Sequence, residues 1–258
     1  MDAPDEPRWR VGAAVRGAVA IVAVLMAWQL GSSAGLLNPD FASSPQRVAM
    51  ALGDLLSSRD FWTVQLASTA QGFLAGWSIA VVVGVALGLL MGLVGPVRDL
   101  LEPLVMGFYA TPHIALIPLL IVWFGFGFRY KLVVVFLASI FWVLLNTIGA
   151  VREADDNLIR MSQSFGANRL QVIATVIVPG AGSAIATGIR QSMPHGIIGA
   201  VIGEMFSSQQ GVGYLITTSA QLGLTDRLFA LVMLLAVAGA GTNAGLAAAH
   251  TRLERWRG

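Results

Sequence analysis

Apolar residues in this chain fall in long runs separated by short polar stretches. A helix needs about 20 predominantly apolar residues to cross a bilayer core. Six stretches qualify, at about Val11 to Leu30, Trp62 to Leu93, Pro103 to Phe124, Leu132 to Val151, Gly182 to Gly203 and Leu228 to Ala249. The second is long enough to imply tilt or an extension into water. The third is interrupted by Pro112 and Pro118. The first is read as a retained helix and not a cleaved leader, because the run is long and Trp28, Gln29 and Leu30 do not resemble a cleavage site. Between the first two, Ser44-Pro45 followed by a helical pattern to Leu56 predicts a short helix near the membrane surface.

Composition supports a membrane-embedded, all-α chain. Of 258 residues, 56% are hydrophobic and only 12% charged, with a mean hydropathy of +0.73. That charged share is about half of what a soluble domain carries, which excludes an ordinary cytosolic enzyme and a disordered chain. The net charge is only +2, so the basic isoelectric point does not mark a nucleic-acid binder. The absence of cysteine excludes disulfide frameworks, thiolate metal sites and cysteine nucleophiles. Six spans put both termini on one side. With both ends inside, the inner segments hold ten arginines and the outer segments five basic residues, Arg47, Arg59, Arg129, Lys131 and Arg227. The positive-inside rule therefore predicts cytoplasmic termini and outer loops around 31–61, 125–131 and 204–227.

Two features inside the runs bear on packing and transport. Gly72, Gly76, Ala80, Gly84, Gly88 and Gly92 recur every four residues and line one face of the second helix. Such a face admits another helix to backbone contact, for bundle packing first and for a sliding surface second. Gly199 and Gly203 repeat the pattern on a smaller scale. Pro112, His113 and Pro118 predict a broken helix, which membranes tolerate where protein or a cavity satisfies the freed carbonyls and which transporters use at solute sites.

Residues 152–181 differ from the other connections. Asp155, Asp156 and Asn157 can cap a helix starting near Leu158, and Leu158, Met161, Ser162 and Phe165 share one face of it. Gly166 breaks that helix and Asn168 can cap the next, along which Leu170, Ile173 and Ile177 follow at helical spacing before Pro179 and the fifth span. An apolar hairpin of this kind has no reason to face water unless it docks into a partner.

The stretch from Ser164 to Pro179 resembles the cytoplasmic coupling loop of ATP-binding-cassette importer permeases. Gly166, nine further residues, Val176, one more residue, then Val178 and Pro179 match that spacing, although Arg160-Met161-Ser162 stands where the family has Glu-Ala-Ala. Pro112 to Gly127 with Lys131, Asn146 to Gly149, Gly188 to Arg190, Glu204-Met205 and Gly211 to Tyr214 are similar to the taurine, nitrate and sulfonate branch. The resemblance covers about residue 40 to the C-terminus. It implies a type I importer permease (MetI-like) fold with six transmembrane helices in a bacterial inner membrane. Residues 1–61 would form a cytoplasmic tail, first span and external linker, and residues 62–258 a five-helix permease core.

The resemblance also implies partners. These are two cytoplasmic ATPase subunits, a second permease subunit, and an external solute-binding protein or lipoprotein; the glycine-rich helices fit a homodimer, with a paired, different permease chain as the alternative. ATP and magnesium would bind only in the ATPases, since the one lysine, Lys131, lies in no phosphate-binding loop. Met161, Ser162, Phe165, Gly166, Ala167, Asn168, Arg169 and Pro179 are the candidate coupling residues. Tyr109, Thr111, His113, Arg190, Gln191 and His195 are the candidate pathway residues, because intramembrane polar and ionisable groups point to function. Glu204, Gly211, Gly213 and Tyr214 are candidates for an outer gate. Three histidines, His113, His195 and His250, do not make the ligand set a metal needs. The expected cargo is a small solute: taurine or another sulfonate, nitrate, bicarbonate, an aromatic acid or a vitamin precursor. The rival readings are an ion-coupled secondary transporter and an intramembrane hydrolase using Ser183 with His195 or His250.

Overall fold

Every regular element among the described residues is helical. The computed structural model describes residues 7–38, 40–207 and 209–254, with side chains over 15–38, 40–206, 209–242 and at 245. In chain order the helices are α1 (Pro7–Ser33), α2 (Pro45–Ser57), α3 (Ala67–Leu93), α4 (Gly95–Ala110), α5 (Ile117–Phe124), α6 (Phe128–Arg152), α7 (Asp156–Ser164), α8 (Arg169–Val172), α9 (Val178–Ser207), α10 (Val212–Gln221) and α11 (Thr225–Glu254). Widened π-helical turns over Phe61–Leu66 and Ile173–Ile177 lead into α3 and α9, and a 3-10 turn over His113–Leu116 leads into α5.

The chain divides into two compact units. One comprises the described residues up to Arg59 with Ile216–Leu234. Here Ser44 caps α2 by accepting from the Arg47 N–H at 3.3 Å, and Pro45 takes the first turn, where a missing donor is harmless. Trp28 of α1 lies 5.7 Å from the Phe229 ring of α11 and donates its indole N–H to the Ser43 carbonyl at 2.8 Å. Asp226 accepts from the Ser43 hydroxyl and pairs with Arg47. Elsewhere α1 exposes Val15, Val19, Ile21, Val24 and Met26, a surface suited to lipid.

The second unit comprises Asp60–Leu215 with the described residues from Leu235 onward. Its central element is α6, packed between α3 and α9. The four-residue glycine register of α3 meets a four-residue register on α6. A Cβ built on Gly76 would lie 2.7 Å from the Leu132 carbonyl oxygen, on Gly84 2.9 Å from Val143, on Gly88 2.5 Å from Thr147 and on Gly92 2.7 Å from Val151. Ala80, fully buried, completes the face. Along another face of α6, α9 runs antiparallel to it and also touches α3, where Trp77 donates to the Ser192 hydroxyl. A Cβ on Gly188 would lie 2.7 Å from Asn146, on Gly196 2.6 Å from Ser139 and on Gly199 2.8 Å from Ala138. Lipid gives little hydrophobic drive for helix association, so backbone approach and its many dispersion contacts hold such a block together.

Two spans differ from the sequence expectation. The third is not a single interrupted helix from Pro103. Pro103 lies inside α4, which begins at Gly95, and the chain then turns by 87° between α4 and the His113–Phe124 helix. Thr111 is extended because Pro112 follows it, which ends α4 at Ala110. Among the described residues there are thus five helices long and apolar enough to cross a membrane, and six when the bent pair counts as one span. The fifth begins earlier than Gly182, because α8, the π turn and α9 form one apolar run over Arg169–Phe206. The widened turn ends just before Pro179, which has no N–H for the Thr175 carbonyl and whose ring would crowd it.

The packing makes a stability prediction. Gly88→Val or Gly76→Leu is expected to cost at least about 1–3 kcal/mol through overpacking, lowering the thermal midpoint and monodisperse yield of the purified chain. Gly107→Ala, with no atom within 4 Å of the added methyl, is expected to match the parent in the same melting assay. Equal behaviour of all three would contradict the packing.

Candidate functional site

Lys131, in the first turn of α6, and Glu204, near the end of α9, are 4% and 1% exposed. Lys131 was expected in an outer loop. Its ammonium instead donates to Glu204 Oε1 at 2.7 Å, to the Ser68 hydroxyl at 2.9 Å and to the Ser68 carbonyl at 3.2 Å, which uses all three of its donors. Glu204 Oε2 accepts from the Thr69 hydroxyl and from the Gly213 N–H, both at 2.9 Å. The Thr69 hydroxyl accepts from the Val212 N–H at 2.9 Å, and the Gln65 side-chain oxygen accepts from the Gly211 N–H at 2.8 Å. The Gly211–Gly213 turn is therefore held by three successive backbone donors.

Small residues make room for this cluster. A Cβ on Gly72 would overlap the Lys131 stem, one on Gly211 would lie 2.2 Å from the Glu204 carboxyl carbon, and one on Gly213 2.2 Å from the Val201 carbonyl oxygen. Gly211 also has φ +118°, a conformation that side chains disfavour. Glu204, Gly211 and Gly213 thus converge on one site, and Tyr214 follows in the first turn of α10. The signal missed in the sequence is pairing. One lysine and one carboxylate at membrane depth satisfy each other's cost of desolvation.

A cavity of about 400 Å³ lies between the broken α4–α5 segment, α6 and α9. Tyr109, His113 and His195 line it, together with Phe141, Trp142 and aliphatic residues. His195 stacks on Trp142 with ring centroids 4.1 Å apart, and its Nδ1 lies 2.9 Å from the Gln191 carbonyl oxygen. Phe141 lies 5.4 Å from His113 and 5.9 Å from Tyr109. His113 Nε2 is buried without a hydrogen-bond partner among the described residues.

The remaining expected pathway residues lie outside the cavity wall. Gln191 accepts from Asn146 Nδ2 at 3.2 Å, one helical turn from the Trp142–His195 stack. The Thr111 hydroxyl donates to the Gly107 carbonyl at 2.9 Å. Arg190 is half-buried on α9 and makes no ion pair among the described residues. No cluster of three metal-ligating side chains occurs among the described residues, and the His250 side chain lies outside them. Ser183 and His195 sit on the same helix about 18 Å apart along its axis, so they form no catalytic pair.

The hairpin of α7 and α8 is built by its caps. Asp155 accepts from the Asn157 N–H at 2.8 Å, and Asn168 with Gln171 forms a reciprocal capping box. Gly166 has φ +85°, and the Gly166 and Ala167 amides close the end of α7 on the Gln163 and Ser162 carbonyls. The turn presents Phe165 at 84% exposure and Leu170 at 77%, with Leu158 and Met161 also exposed. Besides Asn168, two more of the expected contact residues are engaged internally. The Ser162 hydroxyl donates to the Leu158 carbonyl, and the Arg169 guanidinium donates to the Leu93 carbonyl at 3.2 Å, tying the hairpin to the end of α3.

Apolar helices of membrane-spanning length, a broken helix beside a cavity and an exposed apolar hairpin continuous with a span define a multi-pass transport subunit. Residues 80–257 match the family described as binding-protein-dependent transport system inner membrane component, and the chain belongs to that family. It is 30% identical to the taurine transport system permease protein TauC of Escherichia coli over 257 residues, covering 97% of this chain and 93% of that protein. It is 33% identical to the putative aliphatic sulfonates transport permease protein SsuC of Escherichia coli over 218 residues, 84% of this chain and 82% of that one. Among solved structures, a chain from the inward-facing MetNI methionine ABC transporter matches with a TM-score of 0.53 at 18% identity, covering 78% of this chain and 96% of that one, which shows a common fold. The chain is a permease subunit of the ATP-binding-cassette importers, in their taurine and sulfonate branch.

The buried ion pair yields a double-variant test. Lys131→Met alone is expected to destabilise by about 3–5 kcal/mol, because Glu204 keeps a buried, unpaired charge. Adding Glu204→Gln, whose amide oxygen still accepts from Thr69 and Gly213, is expected to recover most of that loss. Thermal unfolding of the purified variants measures this, and a double variant no more stable than the single one would contradict the pairing.

Proposed function

We propose that this subunit couples solute passage to two separate cytoplasmic ATPases through the α7–α8 hairpin, as one of two identical permease copies. The observation that carries this reading is the exposed apolar face of Leu158, Met161, Phe165 and Leu170 on a rigidly capped turn. Contiguous exposed apolar surface of this kind marks a docking site. In this reading Phe165 seats in a groove of the ATPase, Gly166 and Ala167 form the tip, and Met161 and Asn168 flank it. ATP and magnesium bind only in the ATPases. The chain itself performs no chemistry, and its single lysine is committed to Glu204.

The arginine bias supports cytoplasmic termini, which puts the hairpin on the ATPase side and the Glu204 cluster on the side of an external binding protein. Loaded binding protein docks there, ATP closes the two ATPases, and the hairpins move with them. Each ligand biases a two-state equilibrium by binding one state more tightly. The similarity to permeases named for taurine and aliphatic sulfonates supports a small organic solute.

Phe165→Ala is expected to weaken ATPase binding by about 2 kcal/mol, roughly thirtyfold, as loss of an aromatic anchor does. Gly166→Asp is expected to leave membrane insertion intact and to abolish uptake while the ATPases still hydrolyse ATP. Transport assays in proteoliposomes measure both, and normal uptake by the Gly166→Asp variant would contradict the coupling role.

A further inference from the structure

We infer that the cavity between the broken α4–α5 segment, α6 and α9 accepts a planar aromatic or heteroaromatic solute, and not a small hydrated ion such as taurine or nitrate. This deepens the permease reading above and rests on it. Five rings supply the wall: Phe141 with Tyr109 and His113 each beside it, and the stacked Trp142–His195 pair. Flat rings favour offset or edge-on contact with another ring.

Charge and size point the same way. Among the described residues no Asp, Glu, Lys or Arg lines the cavity, and Arg190 stands outside it. A nitrate or a two-carbon sulfonate entering there loses its water and gains no counter-charge, and it has too little apolar surface to offset that loss. The volume of about 400 Å³ falls in the range of pockets that enclose ring-containing ligands.

Two polar features define the solute further. His113 Nε2 is buried without a partner among the described residues, and a buried polar atom of this kind calls for a hydrogen bond that a lipid chain cannot make. One turn beyond the Trp142–His195 stack, the Asn146–Gln191 amide pair offers donors and acceptors on the same two antiparallel helices. A ring seated in the cavity would meet the His113 imidazole with a heteroatom, and only a substituent reaching beyond the cavity wall would meet the amides. Any ionised substituent would stay at the rim.

The test uses the permease with its co-purified ATPase in phosphatidylcholine nanodiscs. The probes share one head group: benzenesulfonate, cyclohexanesulfonate and taurine. Saturation-transfer NMR reads their contact with the protein. Benzenesulfonate is expected to bind saturably, at least tenfold more tightly than cyclohexanesulfonate, with no signal from taurine. Ile198→Trp and Ile114→Trp place a bulky ring in the cavity from half-exposed wall positions, and each is expected to weaken benzenesulfonate at least tenfold while ATPase stays bound. Taurine binding as tightly as benzenesulfonate overturns the inference. So does cyclohexanesulfonate binding equally well, the behaviour of a groove for lipid chains, and so does an aryl signal that survives both variants or never appears. Retained ATPase with any of these results overturns the solute class alone. An ATPase that never associates with the parent chain overturns the importer reading as well.

Discussion

The Lys131–Glu204 contact joins helices that otherwise hold together by small-residue packing. Along most of α6, the neighbours α3 and α9 touch it through glycine and alanine, so their association depends on close backbone approach. At one end, the ion pair adds a directed polar link, with Ser68 and Thr69 of α3 on one side and the Gly211–Gly213 turn on the other. With its donors and acceptors matched, the cluster removes the penalty of two buried charges and fixes the register of three helices at once. Neither charge can leave without stranding the other, so this end of the block moves as a unit.

The other end of the same block carries the hairpin. Because α8 runs through a widened turn into α9, the hairpin is continuous with the helix that carries Glu204 near its far end. Arg169 adds a second tie, to the end of α3. The cavity lies along α9, beside the point where Pro194 interrupts the α9 hydrogen-bond ladder next to His195. The exposed hairpin, the cavity and the polar cluster thus lie along α6, α9 and the segment that joins them. In the coupling proposed above, motion at the hairpin would reach the cavity through α9.

Much of this was legible in the sequence because it depends on local chemistry. Long apolar runs mark spans, Ser44-Pro45 and Asp155 mark helix starts, Gly166 marks a turn, and the four-residue glycine repeat marks a packing face. Family resemblance supplied the hairpin's expected role and the class of protein. What the sequence concealed depends on pairs of residues far apart. The Lys131–Glu204 contact spans 73 positions, and a basic residue close behind Arg129 and the Gly125–Gly127 segment looks like loop charge until its partner is known. The 87° turn was visible only as two prolines, whose angle depends on what packs against them. The separation of Arg190 from His195, five positions along one helix, follows from which face of α9 meets α6.

The central claim is that the hairpin docks on an ATPase at the cytoplasmic face. The chain has no cysteine, so Ser164→Cys, exposed beside Phe165, gives a single reactive site. Bismaleimide cross-linking in native membranes, followed by mass spectrometry of the linked partner, tests the claim directly. The account predicts that an ATP-binding-cassette ATPase is captured, and that a membrane-impermeant maleimide blocks capture only in inverted vesicles. Blocking from the outer face, or capture of no ATPase while the cysteine reacts freely, would contradict it.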